Sequence, residues 1–248
     1  MKELTEFLEG KGFIVANKDT ISLEPSVNYS YAKTIFKNRE ILVPLLCRLA
    51  VSLNKKEEPV VFHLSETGKM VIVQQFLKGI INQFLDNLRA DGFISDWELT
   101  DSQYKITVTT IEEKLRFFRS KWAEEVFRYV IMKTVQMFCN PRKISYKTFQ
   151  NVELKRIGED NLFTELDLIV QIQKRFYVFE VKSGPWIRIM QWANREKALV
   201  DKSGLLRNVV CTIYENIPAY IFEPQLLFNL NAIEKQLGEL LDEDFPKE

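Results

Sequence analysis

Hydrophobic and polar positions alternate with period two most clearly over residues 162–171 and 176–182, within NLFTELDLIVQIQKRFYVFEVKSG. The pattern predicts two strands, rich in β-branched and aromatic residues, joined as a hairpin. On the first arm Phe163, Glu165, Asp167 and Ile169 share one face. On the second arm Phe176, Val178, Glu180 and Lys182 do. Both faces of both arms are largely apolar, which predicts a sheet covered on both sides, with the charged groups at a buried edge. Residues opposed in an antiparallel pair point to the same face, so Asp167 can meet Glu180 or Lys182. Lys174-Arg175 lacks the Asn or Gly that a two-residue turn prefers. That favours a longer loop over residues 172–175, with Asp167 opposite Glu180.

Helical spacing runs through residues 117–135, with Trp122, Val126, Phe127, Val130 and Ile131 on the inner stripe. Glu124 falls on or beside that stripe, whereas Glu125 lines up with Arg128 and Tyr129 and is expected to face water. Residues 144–154 and 208–214 read as strands, and 185–200 as a helix with Gln191 about two turns in. The order is then helix, three strands, helix, strand. Earlier in the chain the pattern gives a short helix over 1–8 and a hairpin of 13–16 with 20–23. A helix over 39–53, a strand over 60–64, a long helix over 69–90 and a hairpin of 93–99 with 104–109 follow. A last helix over 224–241 ends in an acidic tail expected to fray. These elements predict an α/β protein in three segments: a smaller α+β domain over 1–110, a core over 111–216, and a C-terminal helix and acidic tail over 217–248. The first segment reads as either a winged-helix-like module or a dimerisation unit that would make the protein a homodimer.

Composition adds a compartment and a charge map. With 46% hydrophobic and 27% charged residues the chain is ordinary for a soluble globular protein. Its apolar runs are too short for a membrane span and its first residues are acidic rather than signal-like, so a cytoplasmic location and no membrane partner are expected. Cys47, Cys139 and Cys211 are scattered in apolar contexts, which suggests neither disulfides nor zinc. The single histidine, His63, excludes multi-histidine metal sites. Net charge is zero but segregated: residues 113–212 hold 19 Lys+Arg against 11 Asp+Glu, a net of +8, and residues 213–248 hold 2 against 8, a net of −6. A basic core suits a polyanionic partner, and Lys143, Lys147, Lys155, Arg156, Lys174, Arg175, Arg188 and Arg195 are candidate phosphate contacts.

Two carboxylates side by side repel unless a cation lies between them or one takes up a proton, and oxygen ligands on a sheet edge suit Mg²⁺ or Mn²⁺. An aspartate followed on the next strand by Glu-x-Lys resembles the PD-(D/E)XK nuclease superfamily. The matching residues are Asp167, Glu180 and Lys182; the proline common before the aspartate is absent, with Leu166 in its place. The phrases FFRSKWAEEVF, TELDLIV and YVFEVKSG resemble the nuclease half of CRISPR-associated ancillary nucleases that carry a cyclic-oligoadenylate sensor. They are more distantly similar to Holliday-junction-resolvase-type and RecB-type nucleases. The likeness covers residues 117–214, and no sensor domain is seen before it.

The resemblance implies a restriction-endonuclease-like αβββαβ core and Mg²⁺- or Mn²⁺-dependent hydrolysis of DNA or RNA, expected as an endonuclease. It implies that Asp167, Glu180 and the carbonyl of Val181 hold metal, and that Lys182 orients or activates water. Glu124 would serve as the helix-borne acid on a second metal or its water, and Gln191 would reach a phosphate or the attacking water. Two alternatives stay open: an inactive nucleic-acid-binding or scaffold protein with the same fold, and an enzyme acting on a small or cyclic nucleotide.

Overall fold

The alternating hairpin lies at the centre of a six-stranded sheet. The computed structural model describes residues 2–20, 27–67, 74–183, 205–214 and 226–246. Strands β5 (Tyr146–Arg156), β6 (Leu162–Ile172) and β7 (Arg175–Lys182) are antiparallel neighbours, with β1 (Phe13–Thr20) added antiparallel beyond β5. On the other side β8 (Leu206–Thr212) and β9 (Leu226–Asn229) continue the sheet in parallel, giving the order β1-β5-β6-β7-β8-β9. By its internal packing the chain divides into two units, Met1–Glu24 with Phe127–Glu248, which holds this sheet, and Pro25–Val126. The expected boundary between residues 110 and 111 falls inside the second unit.

Both sheet faces are covered, as the two-sided apolar pattern requires. Helix α1 (Lys2–Gly10) places Leu4 and Leu8 in one core with Phe149, Val152, Leu154, Leu166, Ile169, Phe176, Val178 and Leu206. The opposite face belongs to α7 (Ile233–Asp244), whose Ile233, Leu237 and Leu241 are fully buried and whose Asp244 accepts a hydrogen bond from Tyr177 Oη at 2.8 Å. Residues from Phe127 onward of α6 (Trp122–Arg142) join α7 through the Lys133–Glu234 (2.9 Å) and Arg142–Asp242 (2.7 Å) ion pairs.

The predicted hairpin of 13–16 with 20–23 is instead one strand, because residues 13–20 find ladder partners in Phe149–Arg156 and not in each other. The predicted loop over 172–175 is a two-residue turn at Gln173-Lys174, closed by the pair Ile172–Arg175. Gln173 takes the left-handed conformation there (φ 52°), and its carbonyl accepts from Gln171 Nε2 at 3.0 Å. The predicted helix over 224–241 begins only at Ile233, since Leu226–Asn229 pairs with β8. Asn229 Oδ1 then accepts from the backbone N–H groups of Asn231 and Ala232 at 3.1 and 3.0 Å and turns the chain into the helix. Finally, the acidic end is helical as far as Asp244: Asp242 and Asp244 lie in α7 and are ion-paired, Asp244 with a side chain only 2% exposed. The helix predicted over 185–200 lies outside the described residues.

The second unit packs α2 (Val27–Lys37), α3 (Arg39–Lys55) and α4 (Gln74–Ala90) with a three-stranded antiparallel sheet. Its order is β2 (Val60–His63), β4 (Gln103–Val108), β3 (Ile94–Thr100). Pro44 is accommodated within α3. Tyr31, Phe84, Phe93, Phe117 and Phe118 form an aromatic cluster with ring centroids 5.0–6.1 Å apart. Helix α5 (Glu112–Arg116) leads through a π-helical turn, Phe117–Lys121, into the start of α6. The order is helix, strand, 3₁₀ turn, helix and hairpin, with the first strand completing the hairpin's sheet. Among the described residues no helix is long and apolar enough to cross a membrane.

Candidate functional site

The β6–β7 ladder runs from the turn to the pair Leu168–Phe179 and then stops, one step before Asp167 would face Glu180. Side chains take over from the backbone there. The Val181 N–H donates to Asp167 Oδ2 at 2.7 Å, and the Asp167 N–H donates to Glu180 Oε2 at 3.3 Å. Glu180 Oε1 in turn accepts from Lys182 Nζ in an ion pair. Continued one step past Leu168–Phe179, the register sets Asp167 across from Glu180, and these side-chain bonds bring Asp167, Glu180, Val181 and Lys182 together.

The surroundings set the chemistry of this group. Glu180 has only 2% of its side chain exposed, while Lys182 keeps 27%. A carboxylate that deep is stable only when paired and hydrogen-bonded, and the lysine two residues on supplies part of that. Cys211, paired with Val181 across β7–β8, is wholly buried. Burial pushes its thiol well up, and the negative charges of Asp167 and Glu180 push it further. Burial also lifts the Cys47 and Cys139 thiols to about 11, so all three cysteines are neutral thiols with little nucleophilic character.

The other expected site residues fare differently. Glu124 belongs to the second unit, where it is half-buried and accepts from Lys121 Nζ at 2.5 Å. Its neighbour Glu125, expected to face water, is 5% exposed. The reversal arises because Trp122, Ala123, Val126 and Phe127 are all buried, so this end of α6 is enclosed around most of its circumference and a single inner stripe does not describe it. Gln191 lies outside the described residues, as do Arg188 and Arg195. Among the candidate phosphate contacts, Arg175 is committed to Asp244 at 2.7 Å.

The acids offer only hard oxygen donors. Among the described residues no group of three or more His, Cys, Asp or Glu is gathered tightly enough to hold a metal by itself. A pair of carboxylates with a backbone carbonyl fits Mg²⁺ or Mn²⁺ all the same, since Mg²⁺ is commonly held by one or two carboxylates and fills its shell with water and substrate phosphate.

Sequence reasoning missed one buried polar residue on the face that Glu180 shares. Asn208 on β8 pairs with Val178, is 6% exposed, and among the described residues no group hydrogen-bonds either of its side-chain atoms. Replacing it by the similarly sized leucine is expected to raise stability by about 1 kcal/mol. For a chain of this size that is a melting shift of roughly 2–4 °C upward. A calorimetric scan in which Asn208→Leu melts lower would show that the amide is satisfied in solution.

No protein-family model and no curated protein matches this chain. Among solved structures, the crystal structure of protein VC1899 from Vibrio cholerae is similar, with a TM-score of 0.53 and 14% identity over 98% of this chain. The chain spans 61% of the length of that protein. At that identity the likeness is one of fold, and it supports a mixed α/β architecture.

Proposed function

We propose that this protein is a metal-dependent nuclease that hydrolyses phosphodiester bonds of DNA or RNA. The observation that carries the reading is the convergence of Asp167, Glu180 and Lys182 at the one row where the β6–β7 ladder gives way to side-chain bonds. Helix, three antiparallel strands and a parallel strand beside the third are the order that the resemblance to a restriction-endonuclease-like core leads one to expect, and the basic balance of residues 113–212 suits a polyanion.

In this reading Asp167, Glu180 and the Val181 carbonyl hold the cation. When bound, Mg²⁺ or Mn²⁺ supplies a Lewis acid for a phosphate oxygen and a water of lowered pKa. Lys182, anchored by Glu180, presents its ammonium where it orients that water or offsets charge growing on the phosphate. Asp167, tied to the Val181 N–H, keeps one carboxylate oxygen in fixed relation to the carbonyl of the same residue.

The test is a cleavage panel of supercoiled plasmid, linear duplex, single-stranded DNA and RNA in Mg²⁺, Mn²⁺ or EDTA, with wild type beside Lys182→Ala. Cleavage that requires metal and falls at least about a hundredfold in a variant that still melts cooperatively is the expected result. Binding without cleavage of any substrate would favour the inactive scaffold reading.

A further inference from the structure

A second departure from regular strand geometry lies directly across from Asp167. Strand β5 pairs Gln150 with Leu168 and Val152 with Leu166, so the residue facing Asp167 is Asn151. Asn151 has φ 49°, in the left-handed region, in the middle of an eleven-residue strand. Among side-chain-bearing residues asparagine tolerates that conformation well and β-branched residues tolerate it badly. A non-glycine residue held there persists only when its surroundings fix it.

The irregularity propagates to both neighbours. Along β1 the register shifts twice: two steps from Val15–Leu154 to Asn17–Glu153 match one on β5, and two steps from Asn17–Glu153 to Asp19–Gln150 match three, so the ladder is irregular on both strands beside residues 151–152. Phe149 and Val152, three positions apart, both belong to the core on the α1 side. In a regular strand they would face opposite ways. Across the pair, Leu166 and Ile169, also three apart, both belong to the same core. Alternation therefore breaks at one row in both strands, and the residues in the break are Asn151 and Asp167. Freed from the up-down pattern, Asp167 turns its carboxylate along the sheet toward β7, where it accepts from the Val181 N–H.

We propose that Asn151 is a positioning residue: its left-handed backbone sets the break in alternation that aims the Asp167 carboxylate at β7 beside Glu180. The geometric part stands on the structure alone, whereas its consequence for catalysis rests on the nuclease reading. Bulges of this kind re-aim a side chain, and one that re-aims a proposed metal ligand adjusts the site from behind.

The backbone origin of the effect makes it separable from a side-chain role. Asn151→Gly and Asn151→Asp keep a residue compatible with positive φ, whereas Asn151→Val and the milder Asn151→Ala do not. The direct readout is hydrogen exchange at the Val181 amide in metal-free protein, with the amides of Ile169 and Val178 as internal controls. Glycine and aspartate are expected to keep Val181 protection within about threefold of wild type. Valine is expected to lower it at least tenfold with the controls unchanged, and alanine to fall between. In the cleavage assay the valine variant would lose kcat at least tenfold with KM little changed. Unchanged Val181 protection in the valine variant overturns the proposal, and so does an equal loss in all four variants. If valine lowers the controls as well, the alanine variant decides: Val181 loss with intact controls upholds the proposal, and parallel loss overturns it. Wild-type protein that cleaves nothing, with the exchange pattern as expected, removes the nuclease reading and leaves the positioning role in place.

Discussion

Asp167→Asn is expected to cost about a thousandfold in metal-dependent cleavage while leaving the fold intact. The asparagine oxygen can still accept from the Val181 N–H, which now reaches Asp167 Oδ2 at 2.7 Å, so the local break in the ladder survives. The negative charge and one hard ligand do not. A cation's stabilisation of a phosphoryl transition state is worth several kcal/mol, and about 4 kcal/mol corresponds to a factor of roughly 10³ in rate. Alanine is the poorer choice, since it also orphans the Val181 N–H and mixes a structural loss with the chemical one. Single-turnover cleavage at saturating Mg²⁺, beside a melting curve, makes the measurement. Cleavage by Asp167→Asn at the wild-type rate would take Asp167 out of the chemistry.

The second large effect concerns stability. Asp244→Ala is expected to destabilise the sheet-bearing unit by about 3 kcal/mol, the lower end of what breaking a buried ion pair costs. Asp244, 2% exposed, accepts from Arg175 at 2.7 Å, Arg207 Nη2 at 2.7 Å and Tyr177 Oη at 2.8 Å. Truncation leaves two guanidinium groups and a buried phenol without this acceptor. A melting shift of roughly 6–12 °C downward follows for a chain of this size. The dependence on pH separates charge from packing. Burial alone would push the Asp244 carboxyl up, but hydrogen bonds from Arg207 and Tyr177 and the charges of Arg207 and Arg175 outweigh it and hold the group below its ordinary value. A carboxyl lowered in the folded state stabilises it fully above the ordinary carboxylate range, near pH 4, and loses that contribution as pH falls through the folded value. The gap between wild type and Asp244→Ala should therefore be widest near pH 7 and shrink toward pH 3 and below. A gap that stays constant would assign the effect to packing.

What could be read from sequence was local parity. Period-two alternation on β6 and β7 narrows the residue across from Asp167 to Glu180 or Lys182, and the register set at the turn selects Glu180. The turn itself was not legible, because Gln173 adopts a conformation that turn rules reserve for asparagine and glycine. β9 was misread because a run as short as Leu226–Asn229 does not tell strand from helix by periodicity. The partner of β1 lies far along the chain in β5, and nothing in residues 13–20 names it. Segregated charge was visible as composition, but its structural use was not: the acidic C-terminal helix pairs with Lys133, Arg142, Arg175 and Arg207 of the basic segment. Those pairs hold the helix against the face opposite the one that carries Glu180. Asn151 escaped notice because an asparagine inside a strand pattern carries no mark of its backbone angle.

The pairing of β1 with β5 also has a consequence for how the protein is made. During vectorial synthesis α1 and β1 leave the ribosome before any of the second unit, yet the ladder partners of β1, Phe149–Arg156, appear only after that unit is complete. Residues 25–126 can reach their final packing while the earlier segment still waits with an unpaired strand and an uncovered apolar helix face. Long-range closure of this kind is slow, and the waiting segment is the part of the nascent chain most exposed to chaperones and to wrong partners.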